Sequence, residues 1–364
     1  MKFVSIFAIM LSTAPLAHAA DDPAAERARK ELEPRPVNIT NDALPLDQAL
    51  KLLEGQTGNS VVDRRRPPHN SNPKLRLDLK QTTFWPALDE ITRQAGCGFS
   101  VYQEDGKLAL VEAPQRRMQV VYSGICRLAI KRVSVARDDD TGTSFGNVVL
   151  EIAWEPRFQP FFLHGGPGET ILGGNGFGRK PIRLPESGEI HVAGRGAAEV
   201  DLRITPAPPR SCPSLASLSG KFTLMGPSKM LTFRFANWKA GQPMKQTQED
   251  VQVSLTPQPL RPGHWPFDVV IDNPPGGPTF ESHKADKWLV NNEIYLEKGN
   301  AVKITPLASS VQELGNIDAR HAAMRWVFTR DLPAQPAGWS VVYRTPARIV
   351  ELPLTFAFKD VPLP

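Results

Sequence analysis

The 364-residue chain is poor in cysteine, with only Cys97, Cys126 and Cys212. An odd count permits at most one internal bridge, which excludes a disulfide framework as the source of stability. Spacing suggests Cys126 with Cys212; the alternative is buried free thiols packing as small hydrophobes. Long apolar runs are missing too. Phe3 to Leu16 is shorter than the roughly 20 residues needed to cross a bilayer, and no later run reaches that length, so no transmembrane segment is expected in the mature chain. Charge of one sign is not concentrated: the net +5 is dispersed, apart from Arg64-Arg65-Arg66 and Arg116-Arg117, implying weak attraction to anionic surfaces at most. The histidines of the mature chain, His69, His164, His191, His264, His283 and His321, show neither His-Glu-x-x-His nor a Cys/His ligand spacing, so metal chemistry has no local motif. No cofactor is called for.

What is present begins with Lys2, the apolar run, and Ala17-His18-Ala19 before Ala20, the three-part pattern of a secretory signal over residues 1–19. The chain is expected to be periplasmic, cell-surface or extracellular, which argues against nucleic acid as a partner. No cysteine follows the cleavage point to carry a lipid. The 35 prolines are about twice the usual share. Proline removes a ladder donor and breaks helix interiors, so short strands and ordered loops should dominate. The length implies two or three domains.

Residues 20–35 mix Ala, Glu, Arg and Lys without an apolar face and end at Pro34 and Pro36, which reads as a solvated linker. From 36 to 114 the periods alternate. Val37 to Thr40 reads as a strand; Leu46, Ala49, Leu50 and Leu53 lie at helical spacing, closed by Gly55 and Gly58. Val61-Val62 starts a strand, and Leu75, Leu77 and Leu79 alternate as another. Phe84, Leu88, Ile91 and Ala95 mark a second helix capped at Thr83, with Gly96 and Gly98 after it. Phe99 to Tyr102 and Leu108 to Val111 pair across Asp105-Gly106.

The pieces Pro45-Leu46-Asp47-Gln48-Ala49-Leu50, Gln56-Thr57-Gly58, Leu75-Arg76-Leu77 and Ala87-Leu88-Asp89-Glu90-Ile91 with Gly96 resemble the short N-terminal domain of secretins and TonB-dependent transducers. The polar loop from Arg64 to Pro73 is longer than that family's connection. The resemblance implies a protein-interaction module, and neither secretion nor transport.

After Gln115 short alternating strands take over, first over 115–208 and then, past a Pro-rich connection from Thr205 to Pro213, over 209–364. The expected class is multi-domain α+β: a small βαββαββ module followed by two mainly antiparallel β-sandwich domains. The ending, with Trp339, Val341-Val342-Tyr343, Thr345-Pro346 and Asp360-Val361-Pro362-Leu363-Pro364, resembles the tail of uncharacterised secreted proteins of planctomycete-type bacteria. That implies lineage and no activity.

Several motifs invite chemistry. His164-Gly165-Gly166-Pro167-Gly168 resembles the oxyanion-hole loop of some α/β-hydrolase peptidases, yet the required Gly-x-Ser-x-Gly elbow is missing, since Gly226-Pro227-Ser228-Lys229-Met230 lacks its second glycine. A Gly/Pro turn between sandwich strands is expected there. Gly173 to Lys180 departs from Gly-x-x-x-x-Gly-Lys-Ser/Thr and reads as a flexible loop. Asp138-Asp139-Asp140 departs from EF-hand spacing and reads as a solvated hairpin turn. Arg64-Arg65-Arg66 reads as a solvated loop. Among the seven tryptophans, Trp265 and Trp288 lie in Pro/Gly/Asn-rich stretches and are the candidates for an exposed ligand face stacking on sugar rings.

An enzyme needs convergent polar groups, and no spacing here announces them. The leading expectation is a non-enzymatic scaffold or protein-interaction protein whose partner is an envelope protein or a cell-wall polymer. A glycan or cell-wall binding module and a hydrolase assembled from distant loops are the alternatives.

Overall fold

The computed structural model describes residues 23–103, 107–112, 118–172, 179–182, 189–272, 291–299, 302–307, 310–315, 321–329, 332–333, 336–347 and 349–364. The protein is mostly β-sheet, with several antiparallel sheets. The region expected as a signal peptide lies outside the described residues.

Helix α1 (Pro23–Glu31) stands where a solvated linker, 20–35, is expected. Ala28 and Leu32 lie one turn apart and are buried, 7% and 4% exposed, in the core of the sheets that follow. One i, i+4 ridge suffices to dock a short helix, although it makes no full apolar face.

The next elements are β1 (Val37–Pro45), α2 (Leu46–Thr57), β2 (Val62–Asp63), β3 (Lys74–Thr82), α3 (Phe84–Ala95), β4 (Gly98–Ser100) and β5 (Ala109–Val111). Strand β1 pairs antiparallel with β3, while β5 runs parallel to β2 and antiparallel to β4. Gly58 and Gly96 end the helices in the left-handed region, at φ 76° and 64°, where a side chain would be strained. Leu75, Leu77 and Leu79 point inward with Leu46, Ala49, Leu53, Phe84, Leu88 and Ile91. The loop after β2 is not simply solvated. The Arg65 guanidinium forks onto Asp63 at 3.0 and 2.8 Å and donates to the carbonyls of His69 and Ser71. The middle arginine of the run therefore organises the loop from within.

A four-stranded antiparallel sheet follows, β6 (Val120–Ser123), β7 (Cys126–Asp138), β8 (Thr143–Trp154) and β12 (Ala197–Ile204), in the order β12-β8-β7-β6. Facing it is a sheet of β9 (Phe162–Leu172), β10 (Arg179–Ile182), β13 (Ser214–Pro227) and β23 (Ile349–Pro362), in the order β10-β9-β13-β23, with β11 (Glu189–His191) also on β9. Leu128, Leu150, Ile152, Leu218, Phe222 and Phe356 fill the core between them. Cys126 and Cys212 both belong to this core, but no disulfide joins them or Cys97; burial pushes the Cys126 thiol up.

Two further sheets hold a separate core. One is β14 (Met230–Ala236), β22 (Trp339–Pro346), β18 (Glu293–Lys298) and β19 (Val302–Ile304), in that order. The other is β15 (Met244–Gln248), β16 (Val251–Pro257), β17 (Trp265–Asp272), β21 (His321–Phe328) and β20 (Val311–Glu313). Phe233, Phe235, Trp238, Trp265, Phe267 and Tyr343 lie between them.

The strand pairing corrects the expected division into 115–208 and 209–364. β13 and β23 lie beyond residue 208, yet they pair with each other and, through β9, complete the first core. Their register runs out to Pro227↔Ile349, so residues 228–348 leave and return at one end of this pair. Strand spacing along a chain does not report which strands pair, and the proline-rich stretch before Ser214 passes for a linker although Cys212 is buried.

Candidate functional site

Along β7, β8 and β12, one set of alternating residues faces the first core. The opposite set, Arg127, Ala129, Glu151, Ala153 and Ala197, is also buried, because the α/β unit of α2 and α3 covers that face; Ala153 and Ala197 belong to its core. A sheet covered on both sides carries small and apolar residues on both. Gly196 is required by the closeness of the two parts: a Cβ there would sit 2.7 Å from the Val101 carbonyl oxygen. From α3, the Trp85 indole N–H donates to the Ile125 carbonyl at 3.0 Å.

Two charge clusters lie in this junction. In the first, Arg127 stands 3.0 Å from Asp89 of α3 and 3.7 Å from Glu151, with its guanidinium 5.1 Å over the Phe99 ring. Lys131 bridges Glu151 and Glu199 and lies 4.7 Å over the Tyr102 ring. The Tyr122 hydroxyl donates to Asp89. Hydrogen bonding from Lys131 holds the Glu199 carboxyl below the usual carboxylate range. Desolvation works to lower Lys131, but its two carboxylates outweigh it and raise the ammonium. Desolvation and neighbouring carboxylates push both tyrosine phenols up. These shifts deepen each group's ordinary charge state at neutral pH, the reverse of the tuning toward 7 that suits a general acid or base.

The second cluster centres on Glu155, which is 1% exposed. Its Oε2 accepts from Arg157 at 2.6 Å and from the Asn59 amide at 2.9 Å, and Asn59 Oδ1 accepts from the Arg157 backbone N–H. The other arm of Arg157 donates to the carbonyls of Glu31, Leu32 and Glu33, which end α1. Burial pushes the Glu155 carboxyl above its ordinary value, against the opposing pull of Arg157 and Asn59. One arginine thus ties α1, the α/β unit and the first sheet together.

The residues predicted from sequence lie elsewhere. Trp265 is the first residue of β17 and is 0% exposed, with its N–H donating to the Pro333 carbonyl at 3.1 Å. It packs edge-on between Trp238 and Trp339, at 5.5 and 5.8 Å between ring centroids. It is a core residue, and the exposed ligand face expected of it is not there. Pro262-Gly263 before it is a turn, closed by the Arg261↔His264 bridge, and only the flanking prolines gave Trp265 the look of a loop residue. Trp288 lies outside the described residues, as do 173–178 of the glycine-rich run.

His164 to Gly168 is part of β9 and not a turn between strands. Phe222 pairs with Gly165 and Gly220 with Gly168, so one extra residue of β9 is accommodated as a bulge. Proline is tolerated at bulges, and a Cβ at Gly166 would lie 2.9 Å from the Lys221 carbonyl oxygen. Asp138 Oδ1 accepts from the backbone N–H of Asp140 and Thr141 in the hairpin between β7 and β8, as a turn aspartate does. Among the described residues no group of three or more His, Cys, Asp or Glu is placed to hold a metal.

Sequence spacing missed Asn59, Asp89, Arg127, Glu151, Glu155 and Arg157. The available signal was the run Leu150-Glu151-Ile152-Ala153-Trp154-Glu155, where isolated carboxylates stand among residues apolar on both strand faces.

No family model matches the chain, and no curated protein matches it. Among solved structures, one likeness is to a chain in an atomic model of the Salmonella SPI-1 type III secretion injectisome basal body proteins InvG, PrgH and PrgK, at 9% identity and a TM-score of 0.18, covering 88% of this chain and 92% of that one. A likeness at that score carries no argument about fold or function.

Proposed function

We propose that this chain is an exported envelope protein acting without chemistry of its own, as a scaffold that holds a small βαββαββ interaction module on two β-sandwiches and presents it to another envelope protein. The observation that carries the reading is the junction. Asp89, Arg127, Glu151, Asn59, Glu155 and Arg157 are taken up in holding the α/β unit to the first sheet. Buried ion pairs contribute little net stability but penalise any other arrangement, which suits a part whose task is to keep one orientation. The resemblance of the N-terminal unit to secretin-type short domains supports the same reading.

The face of that unit turned away from the sheet includes Leu52 on α2, 44% exposed. The test is photo-crosslinking in cells, with a photoreactive residue at position 52 of the full chain. A single protein partner crosslinked at 52 supports the reading. Crosslinks to cell-wall polymer alone overturn it in favour of a glycan-binding module.

A further inference from the structure

Exposed strand edges are normally covered, charged or twisted away, because they present unpaired backbone groups to other chains. The sandwich cores here have lateral seams where the edge strands of facing sheets meet. In the first, the Thr355 N–H donates to Ser123 Oγ at 3.1 Å and the Gln119 amide donates to the carbonyls of Lys359 and Asp360, closing β6 against β23. On its other side β10 lies beside β12. In the second core, Gln246 and Gln248 of β15 donate to the carbonyls of Arg234 and Thr232, at 2.7 and 2.9 Å, and close β15 against β14.

The seam between β19 and β20 differs. Among the described residues no hydrogen bond crosses it. Ile304 and Val311 are only half-buried at the margin of the core, and Leu307 and Leu314 on the connecting and following segments are 54% and 39% exposed. The Leu314 N–H donates to the Ala323 carbonyl. Antiparallel pairs alternate, so Gln312 also faces its partner Arg325, and the N–H and C=O groups of Val311 and Glu313 point outward from the edge. Backbone donors and acceptors at strand spacing are matched by an extended polypeptide; a sugar ring cannot reproduce that repeat. Lys303 and Glu313, one on each edge, favour no single sign of charge.

We propose that an extended, apolar-bearing segment of a partner protein adds as a further strand on β20, its amides pairing with Val311 and Glu313 and its side chains resting on Leu307 and Leu314. This goes beyond the scaffold reading and rests on it, adding a second partner contact apart from the α/β unit. Glu313→Pro blocks the outward edge while leaving the β20–β21 ladder its donors, and Leu314→Lys is a second variant that keeps the backbone. The probe is a displayed library of random dodecapeptides selected on the full chain, with binding of labelled winners read by fluorescence anisotropy. Selected peptides should alternate apolar and polar residues and lose about tenfold or more in affinity with either variant, while Arg210→Ser, an exposed change outside the second core, leaves binding unchanged. Peptides that bind Glu313→Pro and Leu314→Lys as well as the parent overturn the seam and leave the scaffold reading standing. Failure to select any peptide, with cell-wall fragments binding instead, overturns both. A parent chain that dimerises in the ultracentrifuge, with Glu313→Pro monomeric, overturns the partner segment in favour of a second copy.

Discussion

Arg157 holds more of the junction than any other side chain: a buried carboxylate on one arm and the carbonyls ending α1 on the other. Replacing it with methionine keeps the apolar stem and leaves Glu155 buried without its hydrogen-bonded cation. We expect Arg157→Met to cost about 3–5 kcal/mol at neutral pH, read as a lower urea midpoint. The pH dependence has a definite sign. Burial raises Glu155 in the folded chain above its unfolded value, so the folded state binds that proton more tightly. The group's contribution to stability therefore grows as pH falls through the folded value and is complete below the unfolded one. Losing the arginine raises the carboxyl further. The deficit of Arg157→Met relative to the parent chain should shrink between pH 7.5 and 5, and a deficit that widens on acidification would refute this account. Glu155→Gln in the same background should recover part of the loss at pH 7.5.

A second residue-scale expectation concerns the two-residue turn between β15 and β16. Glu249 and Asp250 both have positive φ, 46° and 67°, in a hairpin position that favours Asn-Gly. Glu249 pairs with Lys229, which leaves Asp250 as the residue to change. Asp250→Gly should stabilise by about 0.5–1 kcal/mol by relieving left-handed strain. The fluorescence of Trp238, Trp265 and Trp339, all in that core, reports it.

At the scale of elements, α1 separates what the sequence discloses from what it conceals. Its docking rests on Ala28 and Leu32. Leu32→Ala should cost about 2–3 kcal/mol, and hydrogen exchange in residues 26–33 should accelerate with it; unchanged protection would mean that the ridge does not hold the helix. Helices α2 and α3 were legible because their signals are local: apolar residues at helical spacing, with Gly58 and Gly96 at the ends. So was β3, from Leu75, Leu77 and Leu79. The fault at His164 to Gly168 has a physical cause, since a bulge and a turn recruit the same Gly and Pro residues and only the pairing partner tells them apart. The junction charges were illegible for a different reason. Arg127 meets Asp89 and Glu155 meets Asn59 only after the α/β unit has docked, so no spacing along the chain encodes them.

At the scale of the whole molecule, the governing fact is that β13 and β23 are neighbours although more than a hundred residues separate them. Residues 228–348 carry the second core, whose buried members run from Leu231 to Ala347 and include none from the first. Because Pro227 pairs with Ile349, the segment is bounded at a point where a tight hairpin turn would close the same ladder. Replacing 228–348 by Asn-Gly, the dipeptide preferred in a two-residue turn, should leave the first core, α1 and the α/β unit folded, since the two cores share no buried member and the packing of Met230 against Phe161, Phe162 and Met225 that is lost lies at the margin of the first. Residues 228–348 produced alone should fold as well, their ends held together by the β14–β22 pairing of Met230 with Pro346. Calorimetry decides the matter. Each piece should unfold cooperatively, and closing the ladder with a short turn lowers the loop entropy that the native insertion must overcome, so the shortened chain should melt no lower than the first core does in the full protein. A shortened chain that is unfolded, while 228–348 folds, would mean that the inserted core supports the β13–β23 pair in a way their shared register does not reveal.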